Sequence, residues 1–163
     1  MNTDLVAQCR IETPLGPLAL AATARGLAAA LFDAQRHHPG EIDAPVDPRQ
    51  PHLALAAHEL ADYFAGRSRH FTVPLDAAGT IFQHRVWQAL LGIPHGHLGS
   101  YGDIAQRLGQ PNAARAVGAA VGRNPISIIV PCHRVIGRDG SLTGYAGGLS
   151  RKQALLRLEG ALA

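Results

Sequence analysis

Three short apolar segments near the N-terminus predict a small β-sheet. They cover residues 5–11, 18–22 and 27–31, and each is short enough for a single strand. Residues 13–16 and 24–26 supply turn-forming residues between them. Apolar segments joined by such short turns are typical of antiparallel strands, so the pattern indicates a meander.

A loop and a helix follow the predicted sheet. Residues 36–51 contain four prolines and little apolar content, which is typical of a loop. Apolar residues then recur at the spacing of one helix face: Leu53, Ala56, Leu60 and Phe64. Gly66 ends this predicted helix, as glycine commonly does. The helix is expected to cover the sheet.

The pattern becomes helical after residue 79. Thr80 can cap a helix that ends near Gly92. The apolar face of that helix consists of Phe82, Val86 and Leu90. Near the C-terminus, Ser150 and Gln153 have the spacing of a capping box and predict the start of a last helix.

Two short helices in between predict a helix-turn-helix. Ser100 and Asp103 have capping-box spacing, so a helix is expected to run from there through Leu108. Residues 109–112 turn the chain, and residues 113–121 form the second predicted helix. Two short helices joined by a glycine-containing turn are the pattern of this motif.

A cysteine and a histidine are adjacent beyond these helices. Residues 128–130 are an apolar run that predicts a short buried strand, and Cys132 and His133 follow it directly. Residues 138–140 then predict a hairpin turn. The strand would hold the thiol at the end of a rigid element.

Cys132 has two interpretations when it is considered alone. A cysteine attacks as the thiolate, so a nucleophilic role needs a neighbour that lowers its pKa or takes its proton. His133 is such a neighbour. The alternative is a buried structural cysteine, because a free cysteine also behaves as a small apolar residue.

The order of these elements predicts an α/β protein with two domains. The first, residues 1–76, is a small N-terminal β-sheet domain with helix cover. The second, residues 80–163, is a helical, winged-helix-like domain that contains the helix-turn-helix. The residues between them are expected to form the joint.

The charge distribution favours a polyanion as partner. The formal net charge is +3. Residues 1–80 hold six arginines against nine Asp and Glu, a balance of −3, whereas residues 81–163 hold nine Lys and Arg against three acidic residues, a balance of +6. A basic half beside an acidic half is expected of a protein that binds nucleic acid, although a solvated charged surface would have the same composition.

The remaining composition indicates a cytoplasmic protein without a membrane span. Hydrophobic residues make up 47% of the chain and charged residues 17%, yet no apolar stretch approaches the roughly 18 residues of a span. The first residues have no signal-peptide pattern. Cys9 and Cys132 are expected to be free thiols in a reducing compartment.

The second helix of the helix-turn-helix has an unusual composition. Residues 113–121 carry alanines and a glycine where a major-groove helix would offer side chains to base edges. Small residues let a backbone approach a narrow groove, so we expect sequence-tolerant docking in the minor groove, with Arg115 reaching into the base stack. Tight packing of this helix against a neighbour is the alternative.

Seven segments in this order resemble one known family. They are 82–87 (FQHRVW), 100–105 (SYGDIA), 114–118 (ARAVG), 124–125 (NP), 129–136 (IVPCHRVI), 144–148 (GYAGG) and 155–159 (LLRLE). Together they resemble the bacterial O6-alkylguanine-DNA alkyltransferase family of direct-reversal DNA repair proteins. The likeness is dense over residues 80–160 and weaker over residues 1–75.

The resemblance implies a single-use transfer of an alkyl group to the protein itself. Cys132 would accept the group from O6-alkylguanine, with O4-alkylthymine as a second candidate substrate. His133 would act as the base through a bound water, and Glu159 would orient His133. This is the nucleophile–base–orienter arrangement of a catalytic triad. In the thioether product a thiolate would have to leave the alkyl carbon, and it is a poor leaving group, so the protein would not be regenerated.

The resemblance also implies roles for residues around the nucleophile. Asn124 would brace the turn that precedes the cysteine, and Tyr101 would donate a proton or hydrogen bond to guanine N3. The backbone of Val135, together with Tyr145 and Ala146, would line the base pocket.

The DNA partner follows from the same resemblance. Double-stranded DNA containing the lesion would bind through its minor groove, and the damaged base would be flipped out, since it is unreachable inside the duplex. The contacting residues would be Ala114, Arg115, Ala116 and Arg123. A monomer is implied, with clustering of copies on DNA left open.

No metal and no cofactor are expected. Zinc-binding relatives use N-terminal Cys and His ligands, whereas this chain has Thr23 and Ala28 at the matching positions. Two other functions are weighed against alkyl transfer. A Cys-His hydrolase would turn over without DNA, and a helix-turn-helix regulator would bind one sequence and tolerate loss of Cys132.

Overall fold

The three N-terminal apolar segments form an antiparallel sheet in the computed structural model, which describes residues 4–163. The strands are β1 (Leu5–Ile11), β2 (Leu18–Thr23) and β3 (Leu27–Phe32). β2 lies between the other two, as a meander requires. The predicted sheet is therefore confirmed, and β2 and β3 are each one residue longer than predicted.

Helix α1 (Pro51–Phe64) packs against this sheet. Pro51 is its first residue, a position where the missing N–H costs nothing, and the Gln50 side chain accepts hydrogen bonds from the next two free N–H groups. Its buried residues are Leu53, Ala56, Leu60 and Tyr63. The predicted helix cover is thus present, with Tyr63 rather than Phe64 as the buried aromatic residue.

The loop between β3 and α1 also contributes to the core. The Gln8 side chain donates to the carbonyl oxygens of Ile42, at 2.6 Å, and Ala44, at 2.7 Å. This holds Ile42 against Ala21 and Leu31 of the sheet. The loop is irregular, as predicted, but its backbone is fastened to the edge strand.

The chain is divided into two compact units. The first contains the residues up to Ala78 together with Pro125–Ile129. The second consists of Gly79–Asn124 and Val130–Ala163. The short segment before the cysteine therefore packs with the first unit, where Ser127 N–H donates to Ala30 and Ala30 N–H donates to Pro125.

The second unit is mainly helical. Its helices are α2 (Ile81–Leu91), α3 (Tyr101–Arg107), α4 (Ala114–Gly122) and α5 (Leu149–Leu158). A short parallel pair of strands, β4 (Gly99–Ser100) and β5 (Val135–Ile136), completes it. α3 and α4 pack on each other and on α2, which is the expected helix-turn-helix with its supporting helix.

Two of the three helix starts that the sequence predicts from capping residues are present. Thr80 and Gln83 form a complete capping box at the start of α2. Ser100 and Asp103 form another at the start of α3. Each box satisfies N–H groups that the helix leaves free, which is why the spacing alone was informative.

The prediction of a strand over residues 128–130 is wrong. These residues form a turn, and Ile128 has a positive φ of 74°. Pro131 directly after them has no N–H to donate to a ladder, and only Ile126 makes an isolated bridge, to Ala30. The apolar run reflects burial of every side chain, and a run this short does not distinguish a strand from a buried turn.

Two further local predictions are also wrong. Gly148, with a φ of 94°, is the N-cap of α5, so Ser150 lies inside the first turn and makes no capping bond. Residues 138–140 form a tight turn closed by a bond from Gly137 N–H to Ser141, but no second strand follows. β5 pairs in parallel with β4 instead, and residues 141–145 have no regular structure.

None of the helices within the described residues is both long enough and apolar enough to span a membrane.

Candidate active site

Cys132 begins a single 3-10 turn, Cys132–Arg134, in the second unit. Its backbone N–H donates to the Val130 carbonyl at 2.8 Å, and its side chain is buried. The rigid element that holds the thiol is therefore a tight turn between Pro131 and β5, not the end of a strand. Because this turn is short, its neighbours decide where the sulfur points.

Asn124 connects the helix-turn-helix to the cysteine. Its side-chain Nδ2 donates to the Val130 carbonyl at 2.9 Å and to Cys132 Sγ at 3.2 Å. One buried amide thus holds both the turn and the sulfur. A donor aimed at sulfur favours the thiolate over the thiol, so this contact has chemical as well as structural consequences.

His133, Glu159 and Arg134 form a buried charged cluster. His133 Nε2 lies 2.8 Å from Glu159 Oε2. Arg134 donates to both oxygens of the same carboxylate, from Nε at 2.8 Å and from Nη2 at 3.0 Å, and its Nη1 donates to the Ile93 carbonyl at 2.6 Å. A two-point contact with a guanidinium fixes the plane of the carboxylate and keeps it ionised.

This cluster sets the protonation of His133. A carboxylate can only accept, so Nε2 carries the proton that it donates to Glu159, and Nδ1 carries a lone pair. Nδ1 is buried and has no hydrogen-bond partner among the described residues. Burial lowers the pKa of His133, and Glu159 offsets this only in part. The ring is therefore neutral at pH 7 and has one basic nitrogen available.

Lys152 is the second buried cation of the site. It lies on α5 with no exposed surface, and its Nζ donates to the carbonyl oxygens of Val135 and Thr143, the latter at 2.8 Å. Burial lowers the pKa of Lys152 to about 8, against the attraction of Cys132. Burial also raises the pKa of Cys132, while the bond from Asn124 and the Lys152 charge lower it.

The residues expected around the substrate are gathered in the same unit. Tyr101 is the first residue of α3, and its hydroxyl lies 3.0 Å from Thr143 Oγ1. Tyr145 is buried, with its ring 6.5 Å from His133 in an edge-on arrangement, and Ala146 follows it in a half-buried turn. Val135 is buried, and its carbonyl accepts from Lys152.

The residues expected to contact DNA lie on α4. Val117, Ala120 and Val121 are buried, whereas Arg115 and Ala116 are exposed. Ala114 is half-buried, and Arg123, the C-cap residue, is exposed. The solvent side of α4 is therefore a small-residue surface with an arginine near each end.

Three residues of the site were not assigned roles from the sequence. The sequence places Arg134 in the basic half and in the resembling segment 129–136 without a role of its own, and neither Thr143 nor Lys152, the chain's sole lysine, has a predicted role. A signal for Lys152 was present, because it precedes Leu155 and Leu156 by three and four residues and so shares the buried face of α5. Nothing local marks Thr143, and the local sign for Arg134 is its place directly after His133 in the segment 129–136.

The two positions at which the resemblance implies zinc ligands in other proteins, Thr23 and Ala28, are part of the sheet here. Thr23 is buried and donates to Asp76, and Ala28 is buried in β3. Across residues 4–163, no group of three or more His, Cys, Asp or Glu side chains is arranged to hold a metal ion.

Treatment with a chelator is expected to leave both the thermal midpoint of unfolding and the reactivity of Cys132 unchanged. The reason is that Thr23 and Ala28 offer no zinc ligand. Elemental analysis before and after treatment, combined with a thermal melt, measures this. Stoichiometric zinc whose removal lowers the midpoint would contradict the prediction.

Comparisons with known proteins agree on one family. The model of the 6-O-methylguanine DNA methyltransferase DNA binding domain matches residues 81–161, and that of the ribonuclease-like domain of the same family matches residues 10–77. A methylated-DNA–protein-cysteine methyltransferase of Mycobacterium bovis is 52% identical over 149 residues, which are 91% of this chain and 89% of that protein. One from Methanosarcina acetivorans is 48% identical and covers 91% of this chain and 95% of its own length.

Solved structures give the same result. The chain is similar to the crystal structure of Mycobacterium tuberculosis OGT in complex with DNA, with a TM-score of 0.88 and 49% sequence identity. The match covers 96% of this chain and 94% of that one. These relatives support neither a Cys-His hydrolase nor a sequence-specific regulator.

Proposed function

Because this chain belongs to the 6-O-methylguanine DNA methyltransferase family, we propose that it repairs alkylated DNA by moving the alkyl group from guanine O6 to its own Cys132. One observation carries the assignment of the nucleophile. Cys132 Sγ is held by Asn124 beside a fully buried His133–Glu159 pair. A thiol, a neutral base and an ionised carboxylate are the parts that activation of a nucleophile requires.

The transfer has a simple balance of atoms and electrons. The basic Nδ1 of His133 takes the thiol proton through a water, and the thiolate attacks the alkyl carbon. The carbon–O6 bond breaks, and its electron pair leaves with guanine. Tyr101 gives its hydroxyl proton to N3 as that charge develops, and it is reprotonated by solvent. The product is a thioether on Cys132, which no step reverses, so each chain reacts once.

Two buried cations, Lys152 and Arg134, favour the charged forms that Cys132, Glu159 and His133 adopt during the transfer. Lys152 favours the Cys132 thiolate by its charge, which partly offsets the cost of burial. Arg134 holds Glu159 as a carboxylate, which in turn stabilises His133 when it accepts the proton. Both effects are strong because the side chains are shielded from water.

DNA docks on the exposed side of α4 in this proposal. The small residues Ala114 and Ala116 let the helix approach the minor groove closely, and Arg123 contacts phosphate. Arg115, exposed in the first turn, occupies the space that the flipped base leaves. Guanine then enters the pocket formed by Tyr145, Ala146 and the Val135 backbone.

The remaining assignments stay predictions. Residues 80–163 would carry both DNA binding and the alkyl acceptor, and residues 1–76 would form a separate supporting domain. A monomeric state, a cytoplasmic location and the absence of a cofactor are expected on the grounds given by the sequence. Activity on O4-alkylthymine and clustering on DNA are left open.

A duplex carrying methyl-labelled O6-methylguanine tests the proposal directly. Mixed with excess protein, it is expected to lose its label to Cys132, with none on Cys9, as located by peptide mapping. With excess duplex, transfer is expected to stop at one methyl group per chain, because a thioether is not hydrolysed. Repeated turnover, or label on another residue, would overturn the assignment.

A further inference from the structure

A hydrogen bond between two hydroxyl groups lies next to the proposed chemistry but is not used by it. Tyr101 Oη and Thr143 Oγ1 are 3.0 Å apart in the second unit. Tyr101 is half-buried at the start of α3, and Thr143 is half-buried on the loop between β5 and α5. The proton that Tyr101 would give to guanine therefore belongs to a hydroxyl that already has a protein partner.

Thr143 and Tyr101 are each anchored by contacts other than the bond between their hydroxyl groups. The Thr143 carbonyl accepts from the buried Lys152 ammonium at 2.8 Å, which ties this part of the loop to α5. Tyr101 follows the capping box of Ser100, and its ring lies beside Gly118 of α4, where an added Cβ would be 3.7 Å from the ring. The backbones that carry the two hydroxyl groups are therefore each anchored by contacts of their own.

We propose that Thr143 is a positioning residue for the proton donor Tyr101, aligning its hydroxyl and stabilising the charge that it acquires. This inference rests on the proposed function. With guanine bound, the Tyr101 hydroxyl donates to N3, and the Thr143 hydroxyl turns to donate to Tyr101 Oη. When the proton moves to N3, negative charge builds on Oη and strengthens the bond from Thr143. Thr143 keeps its own proton throughout.

The alternative role for Thr143 is purely structural, as a polar residue that closes the loop. The two roles differ in what Tyr101 contributes. A structural role in the loop that does not act through Tyr101 affects the pocket whether or not Tyr101 can give a proton. A positioning contact has no effect on the rate once the Tyr101 hydroxyl has been removed, because nothing is left to position.

Thr143→Val keeps the shape of the side chain and removes the hydroxyl. It is expected to slow transfer by about tenfold or more, the usual worth of a hydrogen bond to a charged group. The slowing is expected with a duplex and with free O6-benzylguanine alike, since both release guanine. Thr143→Ser, which retains the hydroxyl, is expected to recover most of the rate.

Ser141→Ala is the matched control. Ser141 lies on the same loop, and its hydroxyl donates to Asp139 at 2.6 Å. Loss of this hydroxyl is expected to leave the rate unchanged. Thermal melts of all variants show whether each is folded at the temperature of the assay.

A double-mutant cycle with Tyr101→Phe decides between the two roles. In that background Thr143→Val is expected to cause little further slowing, since coupled residues are not additive. The same slowing factor in both backgrounds would overturn the inference. Because the cycle compares one substitution in two backgrounds, it remains decisive if Thr143→Val lowers stability.

The outcomes also separate this inference from the function on which it rests. If Cys132 of the wild-type protein never acquires the methyl label, the proposed function itself is excluded. If the wild-type protein reacts, Tyr101→Phe is slow and Thr143→Val is as fast as wild type, only the positioning role of Thr143 is excluded.

Discussion

Replacing Glu159 with glutamine is expected to lower the free energy of unfolding by about 3–5 kcal/mol, the usual cost of breaking a buried ion pair. The carboxylate accepts two bonds from Arg134 and one from His133, and all of these side chains are buried. A neutral amide leaves the Arg134 charge without its counter-ion and points an N–H group at a donor. Denaturant unfolding measures the change.

The same variant is also expected to react slowly. Without the carboxylate, His133 is poorly stabilised as it takes the thiol proton, and general-base assistance of this kind contributes roughly 100-fold or more. Free O6-benzylguanine is the appropriate substrate, because its reaction does not involve DNA binding. The rate is compared at a temperature where the variant is fully folded.

Glu41→Gln provides the control for Glu159. Glu41 is an exposed carboxylate, and its replacement is expected to change stability by no more than about 0.5 kcal/mol. If Glu159→Gln proved as stable and as fast as Glu41→Gln, the buried cluster would have no part in either folding or chemistry.

Replacing Arg115 with alanine is expected to slow repair of duplex DNA by roughly 10- to 100-fold, because flipping a base costs a few kcal/mol that an inserted side chain offsets in part. Arg115 is the only long side chain in the first turn of α4, and it is exposed. Reaction with free O6-benzylguanine needs no flipping and is expected to change little. Single-turnover rates on the two substrates give the comparison.

Two further variants make the Arg115 result specific. Arg115→Lys is expected to recover DNA binding but only part of the rate, because a planar guanidinium stacks on bases and an ammonium does not. Arg49→Ala removes an exposed charge from the first unit and is expected to have little effect. Equal slowing of Arg115→Ala on both substrates would instead assign Arg115 to the pocket or the fold.

The elements that the sequence predicted well are those decided by near neighbours. The meander follows from apolar segments separated by short turns, and the starts of α2 and α3 follow from the capping residues Thr80 and Ser100, each of which bonds to the residue three positions later. In each case the stabilising bonds join residues close in the chain. Their spacing is therefore visible without the fold.

The errors have a common cause. Residues 128–130 were expected in a strand, yet Ile128 has a positive φ and Cys132 begins a 3-10 turn. Ser150 was expected to cap α5, but the chain enters that helix at Gly148 with a conformation that favours glycine. Apolar content shows that a segment is buried, but not which backbone conformation its surroundings impose.

The sequence by itself determined the three-stranded meander, the main helices, the basic half and, through the resemblance, Cys132, His133 and Glu159 as a group. Only the tertiary structure decided the electrostatics of that group. Arg134 reaches Glu159 and Ile93 across 25 and 41 residues of chain, and Lys152 is buried against carbonyl groups 9 and 17 residues away. Burial turns an ordinary charge into a strong local field, and the partners that a buried charge meets across the fold are a property of the packed chain that no local pattern encodes.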